Sequence, residues 1–243
     1  MELTRLNKRL SQLGICSRRE ADRLIAEGKV LVEGKPAEMG QLVGEDQQIF
    51  CDGRLVWDGS AQNAPDPVWL VVNKPRGIVC TTSRKDRAKN IVELVSYPER
   101  VYPVGRLDKD SQGLILMTNQ GSLVNELMRG SLNHEKEYLV RVNSPLTSAF
   151  LAQMSAGIWL EELNQTTKPC KIQAVGADRF RITLTQGLNR QIRRMCEALG
   201  FQVLELKRIR IMNIHLGNLK EGTYRHMTSQ EYHELINELK RSP

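Results

Sequence analysis

The sequence predicts an α+β protein in two parts: a small N-terminal module over residues 1–60 and a larger, strand-rich domain over 68–243, joined by a linker at 61–67. Three observations carry this. Helix-period apolar residues give way to strand-like alternation within the first 60 positions. The stretch from Asp58 to Pro67, DGSAQNAPDP, has turn and linker composition. Beyond it, several alternating segments are interspersed with only a few helical ones.

Leu6, Leu10 and Leu13 make one apolar helix face, and Gly14 stands where that helix would end. Ser17-Arg18-Arg19-Glu20 has the form of a capping box that opens a second helix through Ala21, Leu24 and Ile25, closed by Gly28. Val30 and Val32 read as a half-buried strand, Glu33-Gly34-Lys35 as a turn, and Asp52-Gly53 after Ile49 and Cys51 as a hairpin.

In the larger domain Trp69–Val72 reads as a buried strand stopped by Asn73-Lys74-Pro75, and Leu114–Met117 as another. A helix is expected over Ser122–Met128. Tyr138, Val140 and Val142 alternate, as do Phe180, Ile182 and Leu184. Gly187 would turn the chain into a helix over Gln191–Leu199, stopped by Gly200. A long strand is expected over Val203–Ile214, and Thr228-x-x-Glu231 is a second capping box, opening a C-terminal helix.

The formal net charge is +7. Such an excess suits a polyanionic partner, because phosphate contacts release counterions and steer association. Residues 1–30 hold seven basic and four acidic side chains. Arg5, Lys8, Arg18, Arg19 and Lys29 are among the seven, all in or beside the two helices, as one phosphate-facing side would require. Two solvated amphipathic helices would show the same charge. The five cysteines are widely spaced without C-x-x-C, and the four histidines form no H-E-x-x-H, so neither a disulfide framework nor a metal site is expected. With no apolar signal region and no apolar run near membrane-spanning length, a cytoplasmic protein without membrane contact is expected.

Three segments could carry chemistry. GRLDKDSQGL, from Gly105, sets two carboxylates among Arg106 and Lys109; positive neighbours favour the ionised carboxylate that a nucleophile or base needs. A polar loop with a capping aspartate would look the same. HEKEYLV, from His134, puts Tyr138 on an alternating strand, as a core residue or as a face for an extruded base. QGLNRQIRRM, from Gln186, crowds Arg190, Arg193 and Arg194 into a first helical turn, where the macrodipole disfavours cations. A phosphate, a buried carboxylate or a surface ion pair would each account for them.

In that order, GRLD, KEYLV and NRQIRRM resemble the three motifs of RNA pseudouridine synthases, and NKPRGIV resembles the lead-in strand of their catalytic domain. RLNKRLSQLGICSRREADRLIAEGKVLVEGK resembles an S4 domain, a small RNA-binding module, which points to the S4-bearing RsuA-type branch. The resemblance implies a catalytic domain built on a mostly antiparallel mixed sheet with flanking helices. It implies isomerisation of uridine to pseudouridine, with large-subunit ribosomal RNA the favoured substrate. Asp108 would be the essential carboxylate, Tyr138 would stack under the uracil, and Arg193 would pair with the aspartate. Arg5, Lys8, Arg18, Arg19, Lys29, Lys74, Arg106, Arg190 and Arg194 are the candidate RNA contacts. No cofactor, no metal, no obligate protein partner and a monomer are implied. Position 190 departs from the family pattern: it is Arg where related branches carry His, which bears on the choice of RNA. Small-subunit RNA or tRNA as substrate, or a non-catalytic S4-type ribosome-assembly protein, are the competing readings.

Overall fold

The computed structural model describes residues 3–60, 65–82, 89–128 and 134–241. The chain divides into two compact units, Met1–Val68 with Tyr97–Val101 and Asn119–Gly121, and Trp69–Ser96 with Tyr102–Thr118 and Ser122–Pro243. Of the expected linker, residues 61–64 lie outside the described residues, and the division falls one residue past its expected end, between Val68 and Trp69.

The first unit runs β1 (Thr4–Arg5), α1 (Leu6–Gln12), α2 (Arg18–Ala26), β2 (Val30–Val32), β3 (Lys35–Pro36), β4 (Leu42–Val43), β5 (Ile49–Cys51) and β6 (Arg54–Trp57). Leu6, Leu10, Ala21, Ile25, Val30 and Ile49 form its core. The expected box at Ser17 closes on one side only. Ser17 Oγ accepts from the Glu20 N–H at 3.1 Å, but the Glu20 carboxylate accepts from Arg23 Nε at 3.1 Å instead of reaching back. Both residues of Asp52-Gly53 have positive φ (51° and 76°), the mirror-image turn that matches strand twist, and it joins β5 to β6 as expected.

The second unit runs β7 (Trp69–Lys74), α3 (Ile91–Val95), β8 (Tyr102–Val104), β9 (Gln112–Thr118), α4 (Gly121–Met128), β10 (Lys136–Val142), α5 (Ser148–Ala156), β11 (Trp159–Leu160), β12 (Gln165–Thr166), β13 (Lys171–Ala174), β14 (Arg179–Leu184), α6 (Gln191–Ala198), β15 (Val203–Ile211), β16 (Ile214–His215), β17 (Tyr224–His226) and α7 (Ser229–Arg241). Among the described residues nine strands form one sheet, ordered β13-β14-β10-β15-β9-β7-β17 with β16 on β15 and β8 on β9. Its described pairings are antiparallel except β15 with β9, so the sheet is mixed and mostly antiparallel.

That parallel seam joins only Lys207 to Gln112 and Arg208 to Gly113. Gly113 has φ 105°, and a Cβ there would lie 2.2 Å from the Arg208 carbonyl oxygen. Only glycine lets the two strands approach this closely. One core, with Val140, Phe150, Phe180 and Met195, lies on the β10–β14–β15 side. A second gathers Val71, Leu114 and Leu116 under Leu235 and Leu239 of α7.

Several expectations change. The segment Val203–Ile214 is not one strand: the chain turns at Met212, φ 49°, and β16 folds back on β15. The left-handed residue before α6 is Arg190, φ 51°, and not Gly187. Helix α3 went unread although it has a complete capping box, Asn90 Oδ1 accepting from the Val92 and Glu93 N–H groups at 3.0 Å each. The box at Thr228 and Glu231 is reciprocal, at 3.1 and 2.9 Å, as expected.

Candidate active site

Alternation places Lys136, Tyr138 and Val140 of β10 on one sheet face. Across from them stand Leu184, Ile182 and Phe180 on β14, and Ile211, Arg208 and Leu206 on β15. The row Phe180–Val140–Leu206 belongs to the core, with Leu206 also lining the cavity beyond it. In the rows of Tyr138 and Lys136 the core opens into a cavity of ≈ 640 Å³. The β10–β15 register shifts between Glu137 and Tyr138, leaving Ile209 without a partner on β10. A bulge of this kind re-aims the neighbouring side chain, and Arg208 stands opposite Tyr138 on the cavity side.

Asp108 lines the same cavity, half-buried, from the loop between β8 and β9. The loop is pinned at successive carbonyls. Asp108 O accepts from the Ser111 N–H at 3.0 Å, and Lys109 O from the Gly77 N–H at 2.8 Å. Asp110 O accepts from Arg193 Nη2 at 3.1 Å, while Arg193 Nη1 donates to Val203 O at 3.2 Å. Helix α6 and strand β15 thereby hold the carboxylate-bearing loop through one guanidinium fork.

Two expectations for cations are corrected by this geometry. Arg193 does not pair with Asp108: among the described residues Asp108 has no ion pair within 4.0 Å. The Arg193 fork is already engaged by two carbonyls. It acts on Asp108 as a nearby charge, and its own pKa is pushed down by burial and by Arg190, against the opposing pull of Asp110 and Asp108. Lys74 is not an RNA contact. It is 0% exposed, and Nζ donates to Pro75 O and Ile78 O at 2.9 Å each. Burial holds its pKa below the usual lysine value.

The other arginines of the third motif separate. Arg194 is half-buried, ion-paired with Glu162 and bonded through Nε to Asn189 O at 3.0 Å, so it braces the turn into α6. Arg190 is exposed on the cavity lining, 3.7 Å from the exposed Asp110 carboxylate, a pairing that solvent weakens. Arg106 is exposed at the same cavity.

The sequence reading assigned no role to Lys136 or Arg208, both on the cavity. Each carried a signal: Lys136 precedes Tyr138 by one full strand repeat, and Arg208 follows Leu206 in an apolar register. Burial, then Arg208, lowers Lys136 to a pKa of about 8.

In the first unit Arg5, Arg18 and Arg19 are exposed and Lys8 is half-exposed, and none forms an ion pair among the described residues. Lys29 is paired with Glu27 at 2.9 Å. A carboxylate and an aromatic face on a cavity within the usual size range for small organic ligands can bind an extruded base and act on it.

Comparison with known proteins bears on these features. The RNA pseudouridylate synthase family matches residues 68–198, and the S4 domain matches residues 4–49. Over 232 residues the chain is 49% identical to the dual-specificity RNA pseudouridine synthase RluF of Escherichia coli (strain K12), spanning 96% of this chain and 78% of that protein. It is 35% identical over 242 residues to the ribosomal large subunit pseudouridine synthase B of Bacillus subtilis (strain 168), spanning 96% of each. A crystal structure of a pseudouridylate synthase matches with a TM-score of 0.69 at 28% identity, over 95% of this chain and 99% of that one.

Proposed function

The chain belongs to the RNA pseudouridylate synthase family and carries an S4 domain, and from that premise we propose that it converts a specific uridine of large-subunit ribosomal RNA to pseudouridine. The observation that carries the reading is the meeting of Asp108 and Tyr138 on one cavity. The reaction breaks the N1–C1′ bond, turns the base and rejoins it through C5. It consumes no oxidant and no phosphoryl donor, so no cofactor enters the reading.

The target base leaves its stack at a cost of a few kcal/mol. Tyr138 offers the face that receives it. Asp108 then acts on the nucleotide, by attack at C1′, attack at C6 or removal of a ribose proton. Arg193 keeps the Asp108 loop in place and supplies positive charge beside it. Arg106 and Arg190 at the cavity meet flanking phosphates, and Arg5, Lys8, Arg18 and Arg19 hold RNA backbone, contacts that position without reading sequence. The protein works as a monomer in the cytoplasm.

The test is release of tritium to water from large-subunit RNA labelled at uridine C5. We expect release by the wild type and a loss of ~10⁴-fold or more in Asp108→Asn, the scale on which removal of an essential catalytic group acts, with RNA affinity unchanged. Full release by Asp108→Asn would remove Asp108 from the mechanism. Because the enterobacterial relative is named for a dual specificity, small-subunit RNA and tRNA are run beside the large-subunit substrate. Release from one of those alone would move the substrate assignment.

A further inference from the structure

We infer that Lys136 and Arg208 form a cationic floor to the cavity that takes up the negative charge of the detached uracil, with Lys136 touching the base; the inference rests on the synthase reading above. Neither residue has a carboxylate partner among the described residues. Arg208 is 3% exposed, its Nε held by Leu114 O at 2.7 Å, yet its buried Nη2 has no hydrogen-bond partner among the described residues. Among the described residues Lys136 Nζ has one acceptor, His134 O at 3.3 Å. A cation buried without a partner is costly. On the same strand, Arg210 is neutralised by Glu137 and Glu135 at 2.8 and 2.9 Å. Of the two arginines on β15, the one without a carboxylate partner among the described residues is the one that lines the cavity.

The chemistry of the reaction supplies the missing anion. When the N1–C1′ bond breaks, its electron pair stays on N1, and the uracil carries a negative charge spread over O2 and O4. Asp108 balances the sugar, by bonding to C1′ or by accepting a ribose proton. After the ring turns, C5 bonds to C1′ as the Asp108 carboxylate leaves C1′ or returns its proton to the ribose, the C5 proton leaves and N1 gains one, so the product is an isomer. On either of these two routes the base is, between the two bonds, an anion with no covalent tether. Fixed positive groups in a water-poor cavity stabilise such a species far better than they would in water.

Position favours the base over a phosphate. Arg208 lies directly opposite Tyr138, and Lys136 is one strand repeat from it on the same face. Both cations therefore stand at the level of the stacked ring. Exposed Arg106 and Arg190 are the groups a tetrahedral phosphate would reach.

The experiment measures single-turnover tritium release at saturating RNA, together with RNA affinity and melting temperature. It compares wild type with Lys136→Met, Lys136→Gln and Lys136→Arg. Met and Gln should lower the rate about 10²–10³-fold, the usual effect of losing one group that stabilises developing negative charge, with unchanged RNA affinity. Arg should stand at least about tenfold above Met, since it retains the charge. A wild-type rate in folded Met and Gln variants would overturn the inference. So would weaker RNA binding with an unchanged saturated rate, which would make Lys136 a backbone contact. A wild type that releases no tritium from any RNA class would overturn the synthase reading itself and the inference with it, an outcome distinct from both.

Discussion

The two units use the same residue types in opposite ways. In the first, Arg5, Lys8, Arg18 and Arg19 stand at the surface without ion pairs among the described residues. In the second, Lys74, Arg193 and Arg208 are 0%, 8% and 3% exposed, and each donates to at least one backbone carbonyl. Surface cations exchange counterions for phosphates and lose strength with salt. Interior cations cannot exchange anything with solvent. They fix loops and set a local positive potential that salt screens little. Net charge counts both kinds alike, and the chemistry of the cavity depends on the second.

The interior arrangement depends first on the β9–β15 seam. Gly113→Ala would place a methyl group 2.2 Å from the Arg208 carbonyl oxygen at φ 105°. We expect a loss of ~4 kcal/mol or more, the diagnostic range for strain that neighbours cannot relieve, read as the midpoint of urea unfolding. A loss below about 1 kcal/mol would mean that the strands separate easily and that Arg208 is not rigidly placed.

Lys136 gives the next largest effect, and its sign distinguishes interior from surface charge. Burial and Arg208 lower its pKa from 10.5 to about 8. The unfolded chain therefore binds the proton more tightly than the folded one. The penalty is present in full below pH 8 and is relieved as pH rises from there to the unfolded value near 10.4, so stability attributable to this group increases across that window. Lys136→Met should be more stable than wild type by up to ~3 kcal/mol at pH 7, and the difference should shrink towards pH 10.5. Paired urea titrations at the two pH values read it. An equal difference at both would show that the gain comes from packing and not from charge.

What was legible in the sequence follows the range of the interaction. The stops and caps at Ser17, Asp52-Gly53 and Thr228 act within four residues, and their signals sit where they act. The alternation of Tyr138, Val140 and Val142 placed β10 without any partner in view. The Arg193 clamp joins residues 83 apart, and the Arg208–Leu114 bond joins residues 94 apart. Neither has a local signature. Lys74 was misread as an RNA contact because nothing local announces that the turn after it curls the Pro75 and Ile78 carbonyls onto Nζ. Arg193 was expected to pair with Asp108 because the resemblance pairs those two motif positions; the fork is engaged by backbone instead.

That engagement can be tested apart from charge. Arg193→Lys keeps a cation near Asp108 but gives up the planar fork that spans Asp110 O and Val203 O. If the clamp positions the loop, kcat should fall by about 10²-fold, the scale of a misplacement near 1 Å, with RNA affinity unchanged. Retained kcat would assign Arg193 a purely electrostatic part.

The surface cations should give the smallest effect and a different signature. Arg18 and Arg19 occupy the first turn of α2 and are exposed. The double variant Arg18→Ala, Arg19→Ala should change stability by no more than ~0.5 kcal/mol. Its RNA affinity should fall uniformly across sequences, and the slope of log affinity against log salt should drop by about 1 for each phosphate that is no longer neutralised. At saturating RNA its kcat should equal that of wild type, because nothing in the cavity has moved. A drop in saturated kcat would show that these arginines do more than hold backbone, and the division between surface and interior charge would fail at that point.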